Sequence, residues 1–140
     1  MNKPIEIRTK HTCNFNDVDM NGHMNSCRYF DYFTEHRFTA VRDQIGLSFF
    51  DFLKANIVFY LRSTTIDYLR PIAIDQKFTI RSHLSELSSQ TCVVSCEMLD
   101  EKGQVASRCS MHLVGICPKT KKPAPWPEKL IARFFEQENL

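Results

Sequence analysis

Two carboxylates, Asp17 and Asp19, stand two residues apart in the run NDVDMNGHMNSC, and Gly22, His23 and Asn25 follow before a periodic apolar stretch begins. An acid beside the start of a helix suits attack on a carbonyl. The carboxylate serves as base or nucleophile, and unpaired N–H groups of the first helical turn stabilise an oxyanion. Both acids also have a purely structural explanation. Aspartate is favoured near helix N-termini for capping and for the helix dipole. On residue type alone, capping is the better explanation of each.

The elements that must hold these residues can be read from periodicity. From about Met24 to Gln44 the pattern is helical: at roughly 100° per residue, Tyr29, Phe30, Tyr32, Phe33, His36, Ala40 and Val41 fall on one arc. Arg28, Asp31, Glu35 and Arg42 occupy the opposite face, Phe38 points toward that polar side, and Arg37 falls inside the apolar arc. Gly46 supplies a C-terminal stop. His36 is expected to be a hydrogen-bonded packing residue. A first strand is predicted from Ile5 to Phe15. After the helix come strands at Ile57–Tyr68 (ended by Arg70-Pro71), at Phe78, Ile80 and Leu84, at Cys92–Met98, and at Val105–Cys117. A turn at Asp100–Gly103 joins the last two. Strand, helix, then a run of strands with short turns predicts an α+β fold in which the helix packs on an antiparallel sheet. Residues 118–127, PKTKKPAPWP, read as a basic connector exposed to solvent, the sharper alternative being a cationic rim for ligand phosphates. A short helix is expected from Pro127.

Composition narrows the classes. With 140 residues the chain makes one domain, 1–140, and 43% hydrophobic with 24% charged residues is a globular balance. No apolar run approaches the roughly 20 residues of a membrane span. The segment MNKPIEIRTK carries charge where an export signal needs apolar residues. A net charge of +2 does not argue for nucleic acid. The six cysteines form no CxxC pair and no zinc-type Cys/His spacing, so no metal and no cofactor is expected. They read as buried packing residues of a reduced, cytoplasmic protein.

The stretch DVDMNGHMNSCRYFDYF resembles the signature of hot-dog-fold acyl-CoA thioesterases of the 4-hydroxybenzoyl-CoA thioesterase type, and IDYLRPIAIDQKFTI resembles the same family's second strand, Arg-Pro turn and third strand. The order of elements extends the resemblance over residues 5–117. It implies a hot-dog fold, an antiparallel sheet wrapped around a long helix, and hydrolysis of an acyl thioester carried by CoA or acyl carrier protein (ACP). It implies that Asp19 is the catalytic carboxylate, as nucleophile or general base, and that backbone N–H near Asn25 and Ser26 polarises the carbonyl. Gly22 would admit close approach of the ligand, Asn25 would hold the loop or a water, and His23 and Tyr29 would border the substrate. Thr64 and Thr65 would position the hydrolytic water, and Asp17 would stay structural, paired with a nearby base. The family also implies a homodimer, or a tetramer made by doubling it, with the site shared between chains. Two alternatives stand beside hydrolysis. A hot-dog dehydratase or hydratase needs a histidine with an acid, and neither His83 nor His112 has an acidic partner in the sequence. A non-catalytic acyl-CoA-binding protein could dispense with the acid, and Asp19 is present.

Overall fold

Three long segments alternate inward and outward residues, and their inward sets are apolar enough to line one face of a sheet. Phe78, Ile80 and Leu84 do so on one strand, Cys92, Cys96 and Met98 on the next, and Cys109, Met111 and Leu113 on a third. A computed structural model of the chain describes residues 2–137. Its strands are β1 (Ile7–Thr12), β2 (Val58–Tyr68), β3 (Lys77–Leu87), β4 (Thr91–Leu99) and β5 (Val105–Ile116). They form one antiparallel sheet in the order β1-β3-β4-β5-β2. Helix α1 (Ser26–Ala40) packs on that sheet through Tyr29, Tyr32, Phe33, His36 and Ala40, which are all buried. The α+β expectation therefore holds. Strand β2 lies at the edge, which explains why Tyr60, Leu61 and Tyr68 remain exposed on it.

Two apolar clusters divide the core along α1. Tyr29, Tyr32 and Phe33 meet Ile72, Phe78, Met98 and Met111 near its start. Ala40 and Ile45 meet Phe52, Ile57, Leu113 and Trp126 near its end. As expected, Phe38 is exposed and His36 is buried with both ring nitrogens engaged, Nδ1 with Thr9 Oγ1 at 2.6 Å and Nε2 with Ser82 Oγ at 2.7 Å.

Several expectations need correction. The first strand is shorter than Ile5–Phe15, because Phe15–Asp17 folds into a 3-10 turn instead of continuing it. The helix begins at Ser26, because Asn25 caps it by accepting from Cys27 N at 3.1 Å. After Ala40 it widens into a π-type turn, Val41–Ile45, which Gly46 terminates at φ 82°. A second helix, α2 (Phe49–Lys54), was not anticipated; Ser48 and Asp51 cap it reciprocally. The C-terminal helix α3 (Glu128–Ile131) is a single turn followed by the 3-10 turn Ala132–Phe134. In the connector, Lys119, Lys121 and Lys122 are exposed, but Trp126 is buried and donates through Nε1 to Thr91 O at 3.2 Å. Cys13, Cys92, Cys96 and Cys109 are buried, whereas Cys27 is exposed and Cys117 is half-buried.

Candidate active site

The acid loop is fastened at both ends by backbone bonds. Asp19 N donates to His23 O at 2.9 Å and Gly22 N to Asp19 O at 3.1 Å, closing a tight turn in which Gly22 takes φ 73°. Met24 N donates to Ile72 O at 2.7 Å, and Ile74 N to Gly22 O at 2.9 Å. These bonds tie the loop to the segment that leaves β2. A backbone held from two sides fixes where its side chains point.

The two acids have opposite surroundings. Asp17 is 2% exposed, and its carboxylate accepts from Asn14 N at 2.9 Å, from Arg28 Nε at 2.9 Å and from the Tyr32 hydroxyl. Burial pushes its pKa upward, but these three donors outweigh that push and hold it below the usual aspartate value. Burial, with the hydrogen bond to Asp17 second, drives the Tyr32 hydroxyl upward, so it stays a donor. With both of its oxygens engaged, Asp17 has a structural role, and Arg28 is the base that pairs with it.

Asp19 is exposed, and one oxygen does all its local work: Oδ1 accepts from Asn21 N at 2.9 Å and His23 N at 3.4 Å. Oδ2 has no partner among the described residues. The carboxylate is thus oriented by one oxygen and available through the other.

Asp19 borders an open groove with Asn25, Ser26 and Tyr29 from the start of α1. The far wall is Tyr68, Leu69, Arg70 and Pro71. The backbone N–H groups here are unequal. Asn25 N is used by Asp17 O at 2.7 Å and Cys27 N by the Asn25 side chain, whereas Ser26 N meets no acceptor among the described residues. It is the one first-turn amide left to face a ligand. Tyr29 is buried edge-on to Tyr68, with ring centroids 5.0 Å apart, and the Tyr68 hydroxyl donates to Ser26 O at 3.2 Å.

Of the residues singled out by sequence, Asp19, Asn25, Ser26 and Tyr29 share this groove, and Gly22 and His23 form the turn that shapes it. Thr64 and Thr65 do not line it. They lie along β2, opposite Met111 and Ser110 of β5, and the buried Thr64 Oγ1 has no hydrogen-bond partner among the described residues. Sequence reasoning missed Tyr68 and Arg70 as groove walls. The Arg-Pro pair read as a strand terminator and as the turn of the resembling family, and nothing in the sequence places it beside the acid loop. His83 and His112 are exposed, and neither forms an ion pair with a carboxylate among the described residues.

The comparisons agree on one family. The thioesterase-like superfamily matches residues 13–134. The long-chain acyl-CoA thioesterase FadM of Escherichia coli (strain K12) is 28% identical over 124 residues, 87% of each chain. Among solved structures, the probable thioesterase YbaW from Escherichia coli superposes with a TM-score of 0.83 at 24% identity, over 93% of this chain and 99% of that one. The Staphylococcus aureus protein SAV2348, solved in complex with CoA, reaches a TM-score of 0.85 at 16% identity, over 99% of this chain and 90% of its own. At those identities the structural likeness speaks for the fold, and the superfamily match speaks for the family. The chain belongs to the thioesterase-like superfamily and is a hot-dog-fold thioesterase.

Proposed function

We propose that the protein hydrolyses acyl-CoA to free acid and CoA, with Asp19 supplying the carboxylate and Ser26 N–H the oxyanion contact. The observation that carries this reading is the pairing, in one groove, of an unpartnered Asp19 Oδ2 with an unpartnered helix-start amide. In this scheme the thioester carbonyl oxygen sits on Ser26 N, and Asp19 either attacks the carbonyl carbon or takes a proton from water that does. Charge builds on the oxygen as the tetrahedral species forms, and the amide is already aimed at it. The leaving thiolate has a pKa near that of a free thiol, about 8.5, so departure needs no strong acid. Arg70, on the far wall, supports a phosphate-bearing carrier such as CoA, because its guanidinium suits phosphate oxygens.

The groove is open in one chain. The same reading completes it with a second copy joined along β2, as a homodimer or a doubled tetramer. The exposed Tyr60 and Leu61 on that edge strand support this, since an unpaired apolar edge invites another strand. Of the two threonines on that strand, Thr65 is exposed and would then serve the partner's site as a water-holding group. A cytoplasmic setting goes with acyl-CoA as substrate. A thiol-release assay over acyl-CoA and acyl-ACP panels tests the carrier. Turnover of the CoA series supports the proposal, and turnover confined to acyl-ACP, or to neither, overturns it.

A further inference from the structure

The C-terminal half of α1 does not lie flush on the sheet. A cavity of about 100 Å³ separates it from β3, β4 and β5, closed by α2 and the C-terminal segment. It shares no lining residue with the Asp19 groove. Its walls are apolar, among them Ile7, Ile45, Phe52, Leu84, Leu113 and Trp126. One full charge lines it. Arg37 is half-buried, and among the described residues its guanidinium has one hydrogen-bond acceptor, Met111 Sδ at 3.8 Å, and one aromatic face, the Phe38 ring, whose centroid lies 4.9 Å from the guanidinium carbon.

That surrounding does not complete a guanidinium. Its five N–H donors have a weak sulfur acceptor and an aromatic face, and no oxygen among the described residues. The ion pairs of those residues engage Arg8, Arg28, Arg42, Arg81 and Arg108 instead. A cation withdrawn from water into an apolar cavity costs free energy unless an anion meets it. The planar fork of arginine matches a carboxylate in two parallel bonds. One cation among apolar walls suits a single negative charge attached to a hydrocarbon, and does not suit a phosphate dianion. The volume admits on the order of seven to ten water-sized centres, hence a chain of roughly six to eight carbons.

We propose that this cavity binds a free straight-chain carboxylate of medium length, with its chain against the apolar walls and its carboxylate on the Arg37 guanidinium. The ligand belongs to the class that thioester hydrolysis releases, yet the site does not depend on the chemistry at Asp19.

Isothermal titration of the full chain with octanoate and with octan-1-ol tests this. Wild type is expected to bind one octanoate per chain and to bind the alcohol about ten-fold more weakly or worse, the scale of a lost charge-assisted hydrogen bond. Arg37→Met should lose about ten-fold in octanoate affinity and keep its affinity for octan-1-ol, which reports an intact cavity. Asp19→Asn should bind octanoate as wild type does. No saturable octanoate binding, equal affinity for acid and alcohol, or an unchanged Arg37→Met would overturn the proposal. So would a marked change of octanoate affinity in Asp19→Asn, above all a gain, because relief of repulsion from the Asp19 carboxylate would place the acid in the groove. The comparison of acid with alcohol on wild type is decisive by itself should the arginine variant fail to fold.

Discussion

The Tyr32 hydroxyl donates to the Asp17 carboxylate, and through that bond the second turn of α1 grips the loop that carries Asp19. Asp17 passes the grip onward, because its backbone oxygen accepts from Asn25 N, the residue that caps the same helix. Loop and helix start are one rigid piece, with Asp17 as its pin and Asp19 as the group it presents.

Removing the pin should therefore cost stability more than chemistry. Asp17→Asn leaves a buried amide facing Arg28 and Tyr32, which is expected to destabilise the fold by about 2 kcal/mol. Turnover of the folded fraction should fall far less than in an Asp19 variant. Because the folded pKa of Asp17 is depressed, its contribution is present above the unfolded value near 3.9 and is lost as pH falls through the lower folded value. Urea titrations of wild type and Asp17→Asn at neutral and acidic pH should converge on the acid side.

His36 predicts a second acid-labile contribution, in a different window. Its ring is buried and neutral, and burial, reinforced by His11, lowers its pKa to about 4. The unfolded chain binds this proton near pH 6.5, so the folded state binds fewer protons in between, and stability must rise with pH there. Above about pH 6.5 there is no penalty. On acidification toward pH 4 the loss grows to about 3 kcal/mol and then levels. His36→Gln should flatten that slope. His11, whose pKa burial also lowers against the pull of the Glu35 charge, lies beside His36, so the difference between the two proteins is the quantity to read.

Thiol reagents should divide the cysteines. Cys27 and Cys117 should react in the native state, and Cys13, Cys92, Cys96 and Cys109 only on unfolding. Cys117 should react first. Hydrogen bonds from Thr120, and then from Lys119, bring its pKa down to about 7, which leaves much of it as thiolate at neutral pH. Mass spectrometry after brief labelling at pH 7 reads the order directly, and early labelling of Cys96 or Cys109 would contradict the packing described here.

The oxyanion contact can be removed without removing a side chain that matters. Ser26 is the first residue of α1, where proline is well tolerated, and Asn25 before it has the extended ψ of 137° that a following proline requires. Ser26→Pro deletes the amide that meets no acceptor among the described residues and should lower kcat by about 100-fold or more, with KM little changed. Ser26→Ala, which keeps the amide, should stay near wild type. Equal effects from both would move the oxyanion contact elsewhere.

Sequence reading went far because this fold announces itself by period. The alternation at Phe78, Ile80 and Leu84 and the helical arc from Tyr29 to Val41 each survive in the structure as a buried face. Capping and tertiary pairing were harder to read. The Ser48–Asp51 box that starts α2 went unread because the helix is only six residues long and three of them are phenylalanine or leucine on exposed positions. The division of labour between Asp17 and Asp19 was implied only by resemblance, since both are aspartates in one loop. It needs the third dimension: Arg28 and Tyr32 reach one acid and not the other. Tyr68 and Arg70 join the groove only because the sheet carries the end of β2 to the start of α1, a relation that no local pattern encodes.

The most direct test of the account is turnover by Asp19→Asn. Its backbone bonds remain, since the amide oxygen can still accept from Asn21 N, so the loop should keep its shape and the thermal unfolding midpoint should barely move. With the carboxylate gone, kcat on the best acyl-CoA substrate should fall by about 100-fold or more, the scale of losing a positioned base or nucleophile. A folded Asp19→Asn protein that turns over as fast as wild type would show that the chemistry lies elsewhere.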